Sequence, residues 1–162
     1  MVRFRGSVAH TLMRRCFFLI SDEQVYMVIK YKGSCHCSRW QVEIQVHKPL
    51  EALNPRICDC SYCQSNPSKI LSEPGMVIEL IGGEASSIQN GDKLATFFHC
   101  DCCGDFLAVG CDIDGHRRGA VNASLLQDVH QLGKPIQIQP RLLSPSEKLE
   151  RWGKLWGRLK GV

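Results

Sequence analysis

Three short motifs hold most of the chain's ten cysteines, and they constrain the fold more than any other feature. They are Gly33-Ser34-Cys35-His36-Cys37, Cys58-Asp59-Cys60-Ser61-Tyr62-Cys63 and Cys100-Asp101-Cys102-Cys103-Gly104. Two cysteines one or two residues apart at a tight turn present two thiolates to a single ion, and zinc takes four such ligands in a tetrahedron. Core cysteines have no reason to cluster at C-x-C and C-x-x-C spacing beside glycine and serine. Zinc is therefore the expected cofactor, with two ions within reach of Cys35, Cys37, Cys58, Cys60, Cys63, Cys100 and Cys103.

A disulfide framework is the competing use of so many cysteines, and it normally occupies a secreted chain under 100 residues behind a signal peptide. Here the chain has 162 residues, and the segment before Asp22 offers only the five-residue apolar run Cys16 to Ile20. That run is too short for a secretory signal core and far below the roughly 20 residues that span a bilayer. A reducing, cytoplasmic setting without a membrane span is expected.

Spacing leaves the pairing of the motifs open. Cys60 and Cys63 with Cys100 and Cys103 would make a four-cysteine ribbon. Alternatively, Cys35 and Cys37 join Cys100 and Cys103 in a closed site, and Cys58, Cys60 and Cys63 form a three-thiolate site with an open fourth position. The second arrangement separates a structural centre from one able to bind a ligand.

Charge argues against a nucleic-acid partner. The net charge of +4 comes from the two ends, each at +4, while residues 21–140 carry ten bases and fourteen acids. Phosphate binding needs a basic face, not two basic ends. His116, Arg117 and Arg118 form the only basic cluster of that central body, which makes Arg117 and Arg118 candidates to hold a substrate carboxylate. His99 and Cys102 flank ligand candidates but are read as pointing away from the metal, His36 as facing solvent, and Cys16 and Cys111 as ordinary thiols.

Three segments are expected. Residues 1–26 are rich in arginine and free of acids for twenty positions, which suits a mitochondrial presequence or an upstream start. Residues 27–143 form a mainly β zinc-binding domain with candidate strands at Val25 to Tyr31, Trp40 to Val46, Met76 to Ile81, Leu94 to Phe98, Phe106 to Val109 and Gly119 to Asn122. Turns are expected at Gly82-Gly83, Asn90-Gly91 and Asp114-Gly115. Residues 144–162 read as an amphipathic helix: Ser144, Pro145 and Glu147 give a cap, a first-turn proline and a capping box, and Leu149, Trp152, Trp156 and Leu159 repeat at helical spacing. That stripe is expected to pack on the β core, with Gly153, Gly157 and Gly161 lowering helicity.

The motif series, together with Phe98-His99 before Cys100 and Gly119-Ala120-Val121-Asn122 after it, resembles the glutathione-dependent formaldehyde-activating enzyme family, which includes centromere protein V. The resemblance covers roughly Lys30 to Val129. It implies several small antiparallel β-sheets and long coils around zinc, a structural site at Cys35, Cys37, Cys100 and Cys103, and a labile catalytic zinc at Cys58, Cys60 and Cys63. That favours the second pairing.

It also implies a carbon-sulfur lyase that condenses a thiol such as glutathione with formaldehyde, or handles a related thiol adduct. The alternative is a non-catalytic, zinc-stabilised binding module of the centromere protein V type. Thiol redox at Cys60 and Cys63 lacks the surrounding βαβ pattern it would need. Two departures stand out. Ser38 occupies the place where the family usually has glycine, and Gln64, Ser65, Asn66 and Pro67 replace basic residues after the second motif. The second departure predicts weak glutathione binding.

Overall fold

Short alternating runs cut by turns favour pairing between neighbours, and that is the dominant pattern in the computed structural model, which describes residues 27–162. The expected extension over residues 1–26, with Cys16, lies outside the described residues. In chain order the elements are β1 (Ile29–Ser34), β2 (Gln41–Val46), β3 (Arg56–Cys58), α1 (Ser61–Ser65), β4 (Lys69–Leu71), β5 (Val77–Ile81), β6 (Ala85–Gln89), β7 (Thr96–Cys100), β8 (Phe106–Ile113), β9 (His116–Asn122), β10 (Ile136–Ile138), α2 (Pro145–Leu155) and β11 (Gly157–Lys160). The protein is mainly β with one C-terminal helix, as the sequence predicts.

The ladders join into one branched network, so the small sheets expected from the resemblance share strands. One path runs β1-β2-β5-β11-β9-β4-β3-β10, and β8, β7 and β6 branch from β9. Strand β9 makes the junction possible: one edge pairs with β8 along its length, while the other is divided between β11, at Arg118 and Gly119, and β4, at Val121 and Asn122. The Asp114-Gly115 turn that connects β8 to β9 has both residues in the left-handed region, at φ 51° and 75°, as a two-residue hairpin loop requires.

In β2, Val42, Ile44 and Val46 face inward with Trp40 just before the strand, all at 2% exposure or less. This follows from the period-two alternation of a half-buried strand. These residues belong to a main core that also takes in Cys35, Cys100 and Leu107, with Cys103 packed against it. A second core of Tyr62, Cys63, Phe97, Phe106, Val109 and Trp156 has Cys58, Cys60 and Trp152 packed against it. Each cysteine group thus has its own apolar surroundings.

The helix expected over residues 144–162 ends at Leu155, which corrects that expectation. Its start is as predicted: the Ser144 side chain accepts the Glu147 N–H, and Glu147 accepts the Ser144 N–H at 2.7 Å. Its end is set by tertiary contacts. Gly157 opens β11, which runs parallel to β5 and antiparallel to β9. A Cβ on Gly157 would stand 2.5 Å from the Met76 carbonyl oxygen, so only glycine permits this approach. Buried Ser72 fixes the junction: its hydroxyl accepts the Gly157 N–H at 2.8 Å and faces the carbonyls of Gly119 and Leu155. Trp156 and Leu159 therefore belong to the helix terminus and a strand, and their three-residue spacing is coincidental to helical period.

Among the described residues, no helix is long and apolar enough to cross a membrane.

Candidate metal centres and the adjoining cavity

The fold gathers the three motifs into two groups. Cys35 and Cys37 lie at the turn after β1, Cys100 ends β7 and Cys103 lies in the turn after it; their four sulfurs all lie within 4.8 Å of one another. Sγ–Sγ separations are 3.6 Å for Cys35–Cys37 and Cys37–Cys100, and 3.8 Å for Cys35–Cys100. A tetrahedron with metal–sulfur bonds of about 2.3 Å has edges of about 3.8 Å, so the donor set fits a closed four-thiolate site.

Neighbouring groups hold these turns in place. The Trp40 N–H donates to Cys35 Sγ at 3.2 Å. Asp105 accepts the His36 N–H at 2.6 Å, which ties the first turn to the third. Such contacts orient thiolates before a metal arrives. Ser38, next to Cys37, sits at φ 62°. The turn therefore demands a left-handed residue, which explains why glycine suits it.

Cys58 ends β3, Cys60 caps α1 and Cys63 lies within that helix, so a strand, a turn and one helical turn bring three thiols together. Their sulfurs lie within 4.8 Å of one another, and no fourth cysteine, histidine, aspartate or glutamate joins them among the described residues. Hydrogen bonds from Cys58 and then Cys63 pull the Cys60 pKa down to about 2, while bonding to Cys60 first pushes Cys58 up to about 11 and bonding to Cys58 and Cys60 pushes Cys63 upward. A bound cation would favour the thiolate form at all three.

Both groups could hold a metal ion. The four-cysteine set is filled by protein, whereas the three-cysteine set forms part of the wall of a cavity of about 230 Å³. Phe97, Trp152 and Trp156 contribute apolar walls, and Arg56, Arg141, Lys148 and Arg151 contribute cations. The two tryptophans stack at 4.5 Å between centroids and 10° between planes. Of the stripe read from the sequence, Trp152 and Trp156 face this cavity, whereas Leu149 packs against the second core and Leu159 lies in the main one.

No protein-family model matches the chain, and no curated protein matches it. A crystal structure of a Rhodobacter sphaeroides protein, a structural genomics target, is similar in fold. The TM-score is 0.51 at 21% identity, and the match covers 66% of this chain and 99% of the other. At that identity the likeness shows the fold alone.

The remaining sequence candidates fall elsewhere. Arg117 and Arg118, the candidates for holding a substrate carboxylate, do not line the cavity. Arg117 makes a two-pronged bond to Asp112, at 3.0 and 2.9 Å, and donates to the Val162 carbonyl oxygen at 2.9 Å. Arg118 points to the Trp156 carbonyl. Both brace the β8–β9 hairpin against the C-terminal segment. Cys102 and His36 are exposed, outside the metal groups, and Cys111 is buried in the second core. His99 bonds Tyr62 instead of joining either group.

The sequence reading passed over Arg56. A signal was available, because residues two apart on a strand share a face, and Arg56 precedes Cys58 by two. Arg151, one residue before Trp152, carried no such local mark.

Proposed function

We propose that this protein is a zinc-dependent carbon-sulfur lyase that joins a thiol to a small aldehyde, of the S-(hydroxymethyl)glutathione synthase type. The observation that carries the reading is the contrast between the two cysteine groups: four thiols enclose one centre, and three line a cavity with no fourth protein donor among the described residues. Thiolate sets select soft or borderline ions, zinc foremost in proteins of reducing compartments. Free cysteines throughout the described residues support a cytoplasmic setting of that kind.

Zinc at Cys58, Cys60 and Cys63 would take a substrate sulfur in its fourth position and lower the thiol's pKa. The reaction needs little more from the protein. The thiolate sulfur attacks the carbonyl carbon of formaldehyde, the carbonyl electron pair moves to oxygen, and that oxygen takes a proton from solvent to give the hydroxymethyl thioether. The chain's residues bind the thiol, orient it and limit water through the walls at Phe97, Trp152 and Trp156.

The test is exchange spectroscopy of formaldehyde and glutathione with zinc-loaded protein. Accelerated exchange that disappears in Cys60→Ser supports the lyase. Glutathione binding without acceleration would overturn it and leave the zinc-stabilised binding module.

A further inference from the structure

The cavity beside Cys58, Cys60 and Cys63 is lined by four cations, and they divide into two kinds. Arg141 is paired with Asp59 at 2.7 Å, and Lys148 with Asp92 at 2.5 Å. Arg56 and Arg151 have no ion pair among the described residues. Arg56 donates one hydrogen bond, to the Ser72 carbonyl oxygen at 3.0 Å, and Arg151 has no protein hydrogen-bond partner among the described residues.

Arg151 extends from α2 and Arg56 from β3, and both line the same cavity. Partly buried guanidinium groups with no ion pair of their own are costly, and an anion placed against them offsets that cost; Glu73, the carboxylate whose charge reaches Arg56, is paired with Lys48 at 3.3 Å. Guanidinium groups suit a carboxylate because their donors match its two oxygens.

Much of the remaining lining of this cavity is apolar, with Ile70, Phe97, Val109 and the stacked Trp152 and Trp156. Glutathione has two carboxylates, an ammonium group and two amides, several of which would lie against this surface unpaired. A compact molecule with one anionic end and an apolar body fits the lining better.

We propose that Arg56 and Arg151 form an anion subsite, and that the cavity takes a compact thiol acid: its single carboxylate on the two arginines, its apolar or aromatic body against Trp152, Trp156 and Phe97, and its sulfur at Cys58, Cys60 and Cys63. The sulfur end rests on the function proposed above. The anionic and apolar ends rest on the cavity alone.

The experiment is calorimetric titration of the zinc-loaded full chain with 2-benzyl-3-mercaptopropanoate, its neutral carboxamide, its S-methyl ether and glutathione. The thiol acid should bind tightest. The carboxamide should bind roughly tenfold or more weaker, the cost of losing charge-assisted hydrogen bonds. Arg151→Gln should weaken the acid by a similar factor and leave the carboxamide unchanged. Arg151 has no partner whose loss would unfold the chain, and Arg56→Lys, which keeps the charge, should lose less than Arg151→Gln. Equal binding of acid and carboxamide, tighter binding of glutathione, or indifference to Arg151→Gln would each overturn the subsite. Preference for thiol over S-methyl ether would leave the lyase reading standing in those cases. Equal binding of thiol and S-methyl ether, with the arginine dependence intact, would remove the metal-bound sulfur and retain the anion subsite.

Discussion

Tyr62 and His99 share a hydrogen bond of 2.5 Å between the phenol oxygen and Nε2, and it spans the two cysteine groups. Tyr62 precedes Cys63 of the open group, and His99 precedes Cys100 of the closed one. Burial raises the Tyr62 pKa and lowers that of His99, so both are neutral, and the imidazole tautomer sets which of the two donates. The Tyr62 ring also stacks on Phe97 at 3.9 Å. Tyr62→Phe keeps the stack and strands the imidazole nitrogen. Denaturant unfolding of the zinc-loaded protein should show a loss of about 1–2 kcal/mol. An unchanged midpoint would mean that the bond contributes nothing net.

The two groups should differ in metal lability. Four thiolates hold an ion more completely than three, so mild chelation should remove one equivalent first. Cys60→Ser should fold and lack the labile equivalent, whereas Cys35→Ser or Cys103→Ser should unfold the domain or abolish soluble expression, because Cys35 is embedded in the main core and Cys103 packs against it. Metal analysis with circular dichroism checks both. Equal unfolding in the two classes of variant would show that both groups support the fold.

Metal uptake by the open group should rise with pH. Cys60 is already a thiolate at neutral pH, but Cys58 and Cys63 hold their protons, with Cys58 pushed up to about 11 and Cys63 also raised. Binding must displace both protons, so apparent affinity should increase by up to about 100-fold per pH unit below the Cys58 pKa. Competition titrations with a chelator at several pH values, corrected for the chelator's own protonation, give the slope. A slope near zero would mean that the thiols ionise independently of the metal.

Ser38 holds a left-handed conformation at φ 62° in the turn that carries Cys35 and Cys37. A side chain there costs about 1 kcal/mol relative to glycine. Ser38→Gly should therefore raise stability by up to that amount, offset in part by the greater freedom glycine has in the unfolded chain. Thermal unfolding of the metal-loaded pair of proteins measures it, with a lower midpoint for the glycine variant as the contrary result.

Local signals in the sequence determined the elements that depend on neighbours in the chain. The alternation of Trp40 to Val46 made β2, the Asp114-Gly115 pair made the β8–β9 turn, and Ser144, Pro145 and Glu147 started α2. The cysteine spacing marked the metal-binding turns because two thiols at a turn are a local property. Tertiary structure decided what depends on long-range pairing. Three-residue strands such as β3 and β10 are too short to show a period, and they pair parallel at Arg56 with Ile136 and Cys58 with Ile138 across most of the described chain. The end of α2 was set by Ser72 and by the Met76 carbonyl against Gly157, which no helical pattern contains. The grouping of Cys35 with Cys100, and the meeting of Arg56 and Arg151 in one cavity, came from sheet connectivity. Hydrophobic period and turn chemistry report a residue's immediate surroundings, whereas a site assembled from β3, α1 and α2 exists only once the sheet has brought those segments together.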